Sequence, residues 1–212
     1  MKTTITKNWV VGTTPGILDN IHNNNINIAI LNRGISSLNK QVTSLTDQEI
    51  NFKSSGNIDT ILSEIITMLP PKDYNLLLKD IENLLRLFKT TSNSESFKLL
   101  LATVNSNMCR KFHADVNDLR MLCTYVGPGT LWLPDDNINR EALNNYENNE
   151  SIVIDNNKIQ QVETGSAVIL KGAIYAKNTT NGVVHRSPTI EESGQKRLLL
   201  RIDTNEFLKH DN

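Results

Sequence analysis

The sequence predicts an α+β domain, with a mainly helical first half packed against a β-rich second half. Apolar stripes of helical period fall between residues 58 and 104, and short β-forming runs separated by turn signals fill the chain from 106 onward. At 212 residues, with 38% apolar and 21% charged, the chain fits one domain, 1–212, with a core of ordinary size. Several short strands at modest spacing argue for a sandwich or small barrel in 106–212.

The elements follow from local chemistry. Residues 1–25 are polar and turn-rich, broken at Gly12 and Pro15-Gly16, with His22 as a solvated loop residue. Ile26, Ile28 and Ile30 alternate with Asn27 and Ala29 as a half-buried strand would, and a short helix is expected over 35–42. Residues 58–69 form a helix capped by Asn57 and stopped by Pro70-Pro71, and a second helix spans 72–89. A third is expected over 94–104, from the stripe Phe97, Leu100, Leu101 and Val104, with Ser92 and Glu95 as its capping box. Such stripes pack on their own domain more often than they bind partners. Beyond 105, residues 119–126 read as a strand ended by Gly127-Pro128-Gly129. A polar loop with a short helix near 140–143 follows, then strands at 151–154, 167–170, 183–185 and 197–202.

Composition excludes several functions. A net charge of −1 leaves no basic footprint for nucleic acid or an anionic membrane surface. No apolar run approaches bilayer-spanning length, and MKTTITKNW lacks the apolar core of a secretory signal. Cys109 and Cys123 are too few for a disulfide framework, so a cytoplasmic protein with reduced thiols is expected. No Gly-x-Ser-x-Gly elbow, His-Glu-x-x-His helix or Cys-x-x-Cys pair is present.

The stretch from Cys109 to Pro134 carries the chemistry. His113 and Asp115 are two apart, so on a strand both would face one way, and His185 in VVHRSP is the best third ligand. Two imidazoles and one carboxylate leave open positions on a metal, the arrangement of non-haem Fe(II) centres. On an unbroken strand Cys109 would share the face of His113, as an extra soft ligand favouring zinc or, more commonly, as a small buried side chain. Cys123 reads as core, Trp132 as packing or as a cover over the pocket mouth, and His210 as an exposed tail residue.

The order His113-Ala-Asp115, strand, Gly turn, Gly165 to Leu170, His185 and then Lys196-Arg197 before a last strand resembles the Fe(II)/2-oxoglutarate-dependent dioxygenases, most closely their prolyl-4-hydroxylase-like branch. CRKFHAD, TYVGPGTLWL, LKG and HRSP are also similar to a bacterial family classed as a domain of unknown function. The family likeness covers most of the chain and the dioxygenase pattern about its second half. The dioxygenase resemblance implies a double-stranded β-helix (jelly-roll, cupin-like) in 106–212, with His113, Asp115 and His185 holding Fe(II). It implies Arg197 or Lys196 as the anchor for the far carboxylate of 2-oxoglutarate, Arg197 being favoured because it shares a face with Leu199 and Arg201. Arg120 and Tyr125 point to opposite faces of a regular strand, so at most one lines the cofactor pocket. HRSP lacks the Gly usual two residues after the second His of that branch, and Arg186 either brings charge near the metal or points outward. The substrate would be a small molecule or a protein side chain. The alternative on the same shell is a non-oxidising metal-binding protein, of zinc or iron homeostasis. An interaction module built on the helices ranks last, and oligomeric state is left open.

Overall fold

A computed structural model describes residues 7–175 and 181–205; His210 lies outside them. In chain order the elements are β1 (Trp9–Gly12), β2 (Ile28–Leu31), α1 (Asn39–Thr46), β3 (Asn51–Gly56), α2 (Ile58–Met68), α3 (Pro71–Ser92) and β4 (Phe97–Val104). They continue with β5 (Leu119–Val126), β6 (Leu131–Leu133), α4 (Arg140–Asn144), α5 (Asn149–Ile152), β7 (Gln160–Gln161), β8 (Ala167–Lys171), β9 (Val184–Arg186) and β10 (Arg197–Thr204). Short 3-10 turns at Pro15–His22 and Ser36–Leu38 precede β2 and α1.

The architecture is mixed α/β. A seven-stranded sheet has the order β1-β2-β8-β5-β10-β4-β3, and a three-stranded sheet the order β7-β6-β9. Among the described strands only β1 and β2 pair in parallel. The pairing among the described strands leaves these as two separate sheets and does not itself close them into one β-helix. The first half contributes four of the seven strands, so it is less helical than its periodicity suggests.

Alternation along each strand sorts the core into layers. Leu198, Leu200, Ile202, Leu99 and Leu101 face α1, α2 and α3 and merge with them into one large apolar cluster. The opposite face, through Ile28, Ile30, Leu122, Val168 and Leu170, packs on Trp132 of β6 in a second cluster. The outer side of the small sheet, Leu133 and Val184, is covered by Ala142 of α4 and Ile152 of α5.

Several expected elements appear as read. Asn57 caps α2, accepting from the Thr60 amide at 2.9 Å. Pro70-Pro71 does more than stop that helix, since Pro71 opens α3 at a position where a missing N–H costs nothing. Gly127 has φ +81°, and a Cβ there would lie 2.2 Å from the Lys196 carbonyl, so the turn after β5 admits only glycine. Cys123 is core, as expected.

Other expectations are overturned. Residues 97–104 form a strand, not a third helix. Phe97, Leu99 and Leu101 also fit a period of two, and pairing with both β3 and β10 satisfies the backbone of the whole run. Ser92 is no capping box; it is the last residue of α3, its hydroxyl donating to the Phe88 carbonyl at 2.6 Å. Residues 149–152 are helical, with Asn148 accepting from the Ser151 amide, so 151–154 is not a strand. β2 is buried on both faces rather than half-buried, because it lies inside the sheet. His22 is exposed but tied down, with Nδ1 2.8 Å from the Tyr175 hydroxyl and Nε2 2.7 Å from the Thr91 carbonyl.

Tyr125 is also relocated. Its hydroxyl donates to Asp80 at 2.7 Å on the helix side of the sheet, where Arg33 grips the same carboxylate at 2.5 and 3.0 Å and contacts the Cys123 sulfur at 3.3 Å. Burial pushes the Cys123 thiol up to about 11, so it stays protonated and inert. Asp80→Ala is expected to cost roughly 3 kcal/mol, because it leaves the Arg33 charge buried and unpaired. Urea unfolding at neutral pH would read this, and a loss under 1 kcal/mol would show that the pair is not structurally needed.

Candidate metal centre

His113 and Asp115 do not lie on a strand. They occupy the loop before β5, and His113 joins β9 by a single antiparallel bridge to His185. Reciprocal backbone hydrogen bonds of 3.1 and 2.9 Å hold the two histidines side by side, with ring centroids 4.8 Å apart. Long-range pairing therefore does the work that strand alternation was expected to do. Each His Nδ1 lies near the carbonyl two residues earlier, Lys111 at 2.9 Å and Val183 at 3.3 Å. A carbonyl only accepts, so both Nδ1 atoms carry hydrogen, and each Nε2 can either take a proton and donate to Asp115 or give its lone pair to an ion.

The two Nε2 atoms converge on Asp115, His113 at 3.5 Å from Oδ1 and His185 at 3.2 Å from Oδ2. One ligand atom from each of the three residues fits within 4.8 Å, the size of a metal first coordination sphere seen without its ion. Burial would raise the Asp115 carboxyl, but the bonds from His113 and His185 and the charges of His185 and Arg120 outweigh it and hold the group well below the usual carboxylate range. It is a permanent carboxylate, and the donor set fits Fe(II) or Zn(II).

Arg120 braces that carboxylate. One guanidinium nitrogen contacts Asp115, while Nε and another reach Asp203 at 2.5 and 3.2 Å. All three nitrogens of its guanidinium are thus engaged by two acids. Asp203 was missed in the sequence, although it follows Arg197, Leu199 and Arg201 on the same face of β10. That alternation was the available signal.

The centre lines a cavity of about 200 Å³ together with Arg120, Leu122, Thr130, Arg197 and Leu199. Arg197 is 1% exposed, and among the described residues its Nε has no partner and its only side-chain bond goes to the Thr124 hydroxyl at 3.1 Å. No described carboxylate pairs with it, and burial pushes its pKa down to about 10. Lys196, which precedes β10, is exposed and does not line the cavity. Tyr125 is likewise absent from it. Cys109 lines the cavity but sits on a left-handed turn (φ 44°), not on a strand with His113, and it is not in the ligand group. Arg186 turns away from the centre and stacks over Phe112 at 5.1 Å. Trp132 packs edge-on against Trp9 at 5.3 Å and does not cover the mouth.

Comparison with solved structures places the fold. The chain resembles the dioxygenase for auxin oxidation 1 of Arabidopsis thaliana, solved with 2-oxoglutarate, at a TM-score of 0.51 and 11% identity, over 94% of this chain and 92% of that one. It is also similar to a prolyl-4-hydroxylase of Pseudomonas putida, at a TM-score of 0.46 and 11% identity, over 90% and 97% of the two chains. No curated protein matches the sequence. No described helix is long and apolar enough to cross a membrane. Residues 12–203 match the family described as "Protein of unknown function (DUF1826)", and the chain belongs to that family.

Proposed function

We propose that this protein is an Fe(II)/2-oxoglutarate-dependent oxygenase built on an open jelly roll. Arg197 carries the reading. A buried guanidinium with no acid beside it is costly, and a metal-storage shell has no use for one, whereas a dicarboxylic cofactor would supply the missing charge. His113, Asp115 and His185 would hold Fe(II), and Arg197, steadied by Thr124, would take the far carboxylate of 2-oxoglutarate through its planar fork. The bound cofactors would supply an oxidation in which 2-oxoglutarate and O2 yield succinate, CO2 and a hydroxylated substrate.

The chain's own residues set the conditions for that chemistry. The carbonyls of Lys111 and Val183 hold the imidazole Nε2 atoms toward the centre. Arg120, itself held by Asp203, would favour the ionised form of Asp115 and fix it in place. Leu122 and Leu199 form an apolar wall that limits water beside the metal.

Anaerobic addition of Fe(II) and then 2-oxoglutarate to metal-free protein is expected to produce the visible charge-transfer band of a chelated 2-oxo acid. The band should be absent when succinate replaces 2-oxoglutarate. Tight metal binding with neither band nor 2-oxoglutarate affinity would refute the oxygenase reading and favour a zinc or iron shell.

A further inference from the structure

The small sheet covers only part of one face of the large sheet. Its contacts reach β2, β8 and β5, while the same face of β10, β4 and β3 lies outside the cluster that joins the sheets, except for Leu199. Alternation and register put Leu199 and Arg201 of β10, Leu100 and Ala102 of β4, and Lys53 of β3 on that face. Two adjoining hollows of about 450 and 480 Å³ lie over it, sharing Lys53, Leu100 and Arg201. Leu100, Val104, Met108 and Arg201 also line the metal cavity, so one continuous groove runs from the metal centre to the sheet edge.

The groove has a distinct chemistry. Its floor (Leu100, Ala102, Val104, Leu199) is aliphatic, and among the described residues no Phe, Tyr or Trp lines any of the three cavities. Lys53 and Arg201 line both outer hollows, and Lys98 lines one of them. Two acids are present, but Glu49 lines only one hollow and Glu64 only the other. Neither Lys53 nor Lys98 forms an ion pair among the described residues, and Arg201 meets Asp203 through Nε at 3.1 Å. Two strand spacings separate β10 from β3, roughly 10 Å. That is the reach of a medium-length alkyl chain.

We infer that the substrate is an aliphatic carboxylic acid, with its chain on the floor of β10 and β4 and its carboxylate held by Lys53 and Lys98 at the sheet-edge end of the groove. Carbons remote from the carboxylate would then lie nearest the metal centre. The inference rests on the oxygenase reading and deepens it. Aliphatic burial supplies affinity without selecting a ring, and the cations set the direction in which the chain lies.

Calorimetry of the full chain with decanoate, decan-1-ol and a poly-glutamate peptide tests this. Decanoate is expected to bind, and decan-1-ol to bind at least about tenfold more weakly. The double variant Lys53→Glu/Lys98→Glu, altered only at exposed positions, should lose at least about tenfold in decanoate affinity. Equal binding of acid and alcohol, no effect of charge reversal, or no decanoate binding would overturn the inference. Preference for poly-glutamate would overturn it in favour of an acidic protein substrate. Failure of Fe(II) and 2-oxoglutarate to bind while decanoate binds would sink the oxygenase reading instead and leave an acid-binding groove.

Discussion

His113→Ala is expected to lower Fe(II) affinity by at least about 100-fold while shifting the melting temperature by no more than about 2 °C. The affinity loss follows from removing one of three convergent donors, which no other described side chain of the ligand group replaces. The small stability change follows from exposure: the His113 side chain is 37% accessible, and its bridge to His185 is made by backbone atoms that alanine keeps. Asp115→Ala is the poorer test, because it strips Arg120 of one of its two acids and risks the fold. Anaerobic calorimetry with Fe(II), beside a thermal melt of the metal-free protein, reads both quantities. Undiminished Fe(II) affinity in the folded variant would show that the three residues are not the ligand set.

Arg197→Met is expected to move stability and cofactor binding in opposite directions. The buried guanidinium is desolvated with only the Thr124 hydroxyl for a partner, so a flexible apolar side chain of similar length should relieve more than the lost hydrogen bond costs. A gain of about 1 kcal/mol would raise the melting temperature by about 2–4 °C for a chain of this size. The same change should weaken 2-oxoglutarate binding by about 100-fold or more, with Fe(II) affinity kept, because a desolvated charge-assisted pair is lost. That combination marks a residue retained for a ligand at the expense of the fold. A less stable protein with unchanged 2-oxoglutarate affinity would make Arg197 a structural residue, and the cofactor anchor would have to be sought elsewhere.

Helices were legible where length and punctuation supported the period. In α2 and α3 the stripes run long enough to exclude a strand, and an Asn cap and a Pro pair mark their ends. The run at 97–104 is too short for periodicity to decide, and its partners lie in β3 and in β10, almost a hundred residues away. β3 itself, NFKSSG, carries almost no apolar signal, since an edge strand can be polar and still pair. The assignment of 151–154 failed for a related reason, because capping by Asn148 outweighed a weak β preference.

For the candidate site, residue types and chain order put His113, Asp115 and His185 forward as one group, which the structure brings together, and left Arg197 and Lys196 as alternatives, since ligand chemistry resides in side chains whatever backbone carries them. Strand alternation favoured Arg197 over Lys196 without deciding between them. Which groups meet was beyond it. The His113–His185 bridge, the withdrawal of Tyr125 to Asp80 and Arg33, the bracing of Arg120 by Asp203, and the open face beside the centre all depend on contacts between distant segments. Local sequence sets the direction of a side chain relative to its own strand. Which layer that direction meets is settled only when the sheets and helices pack.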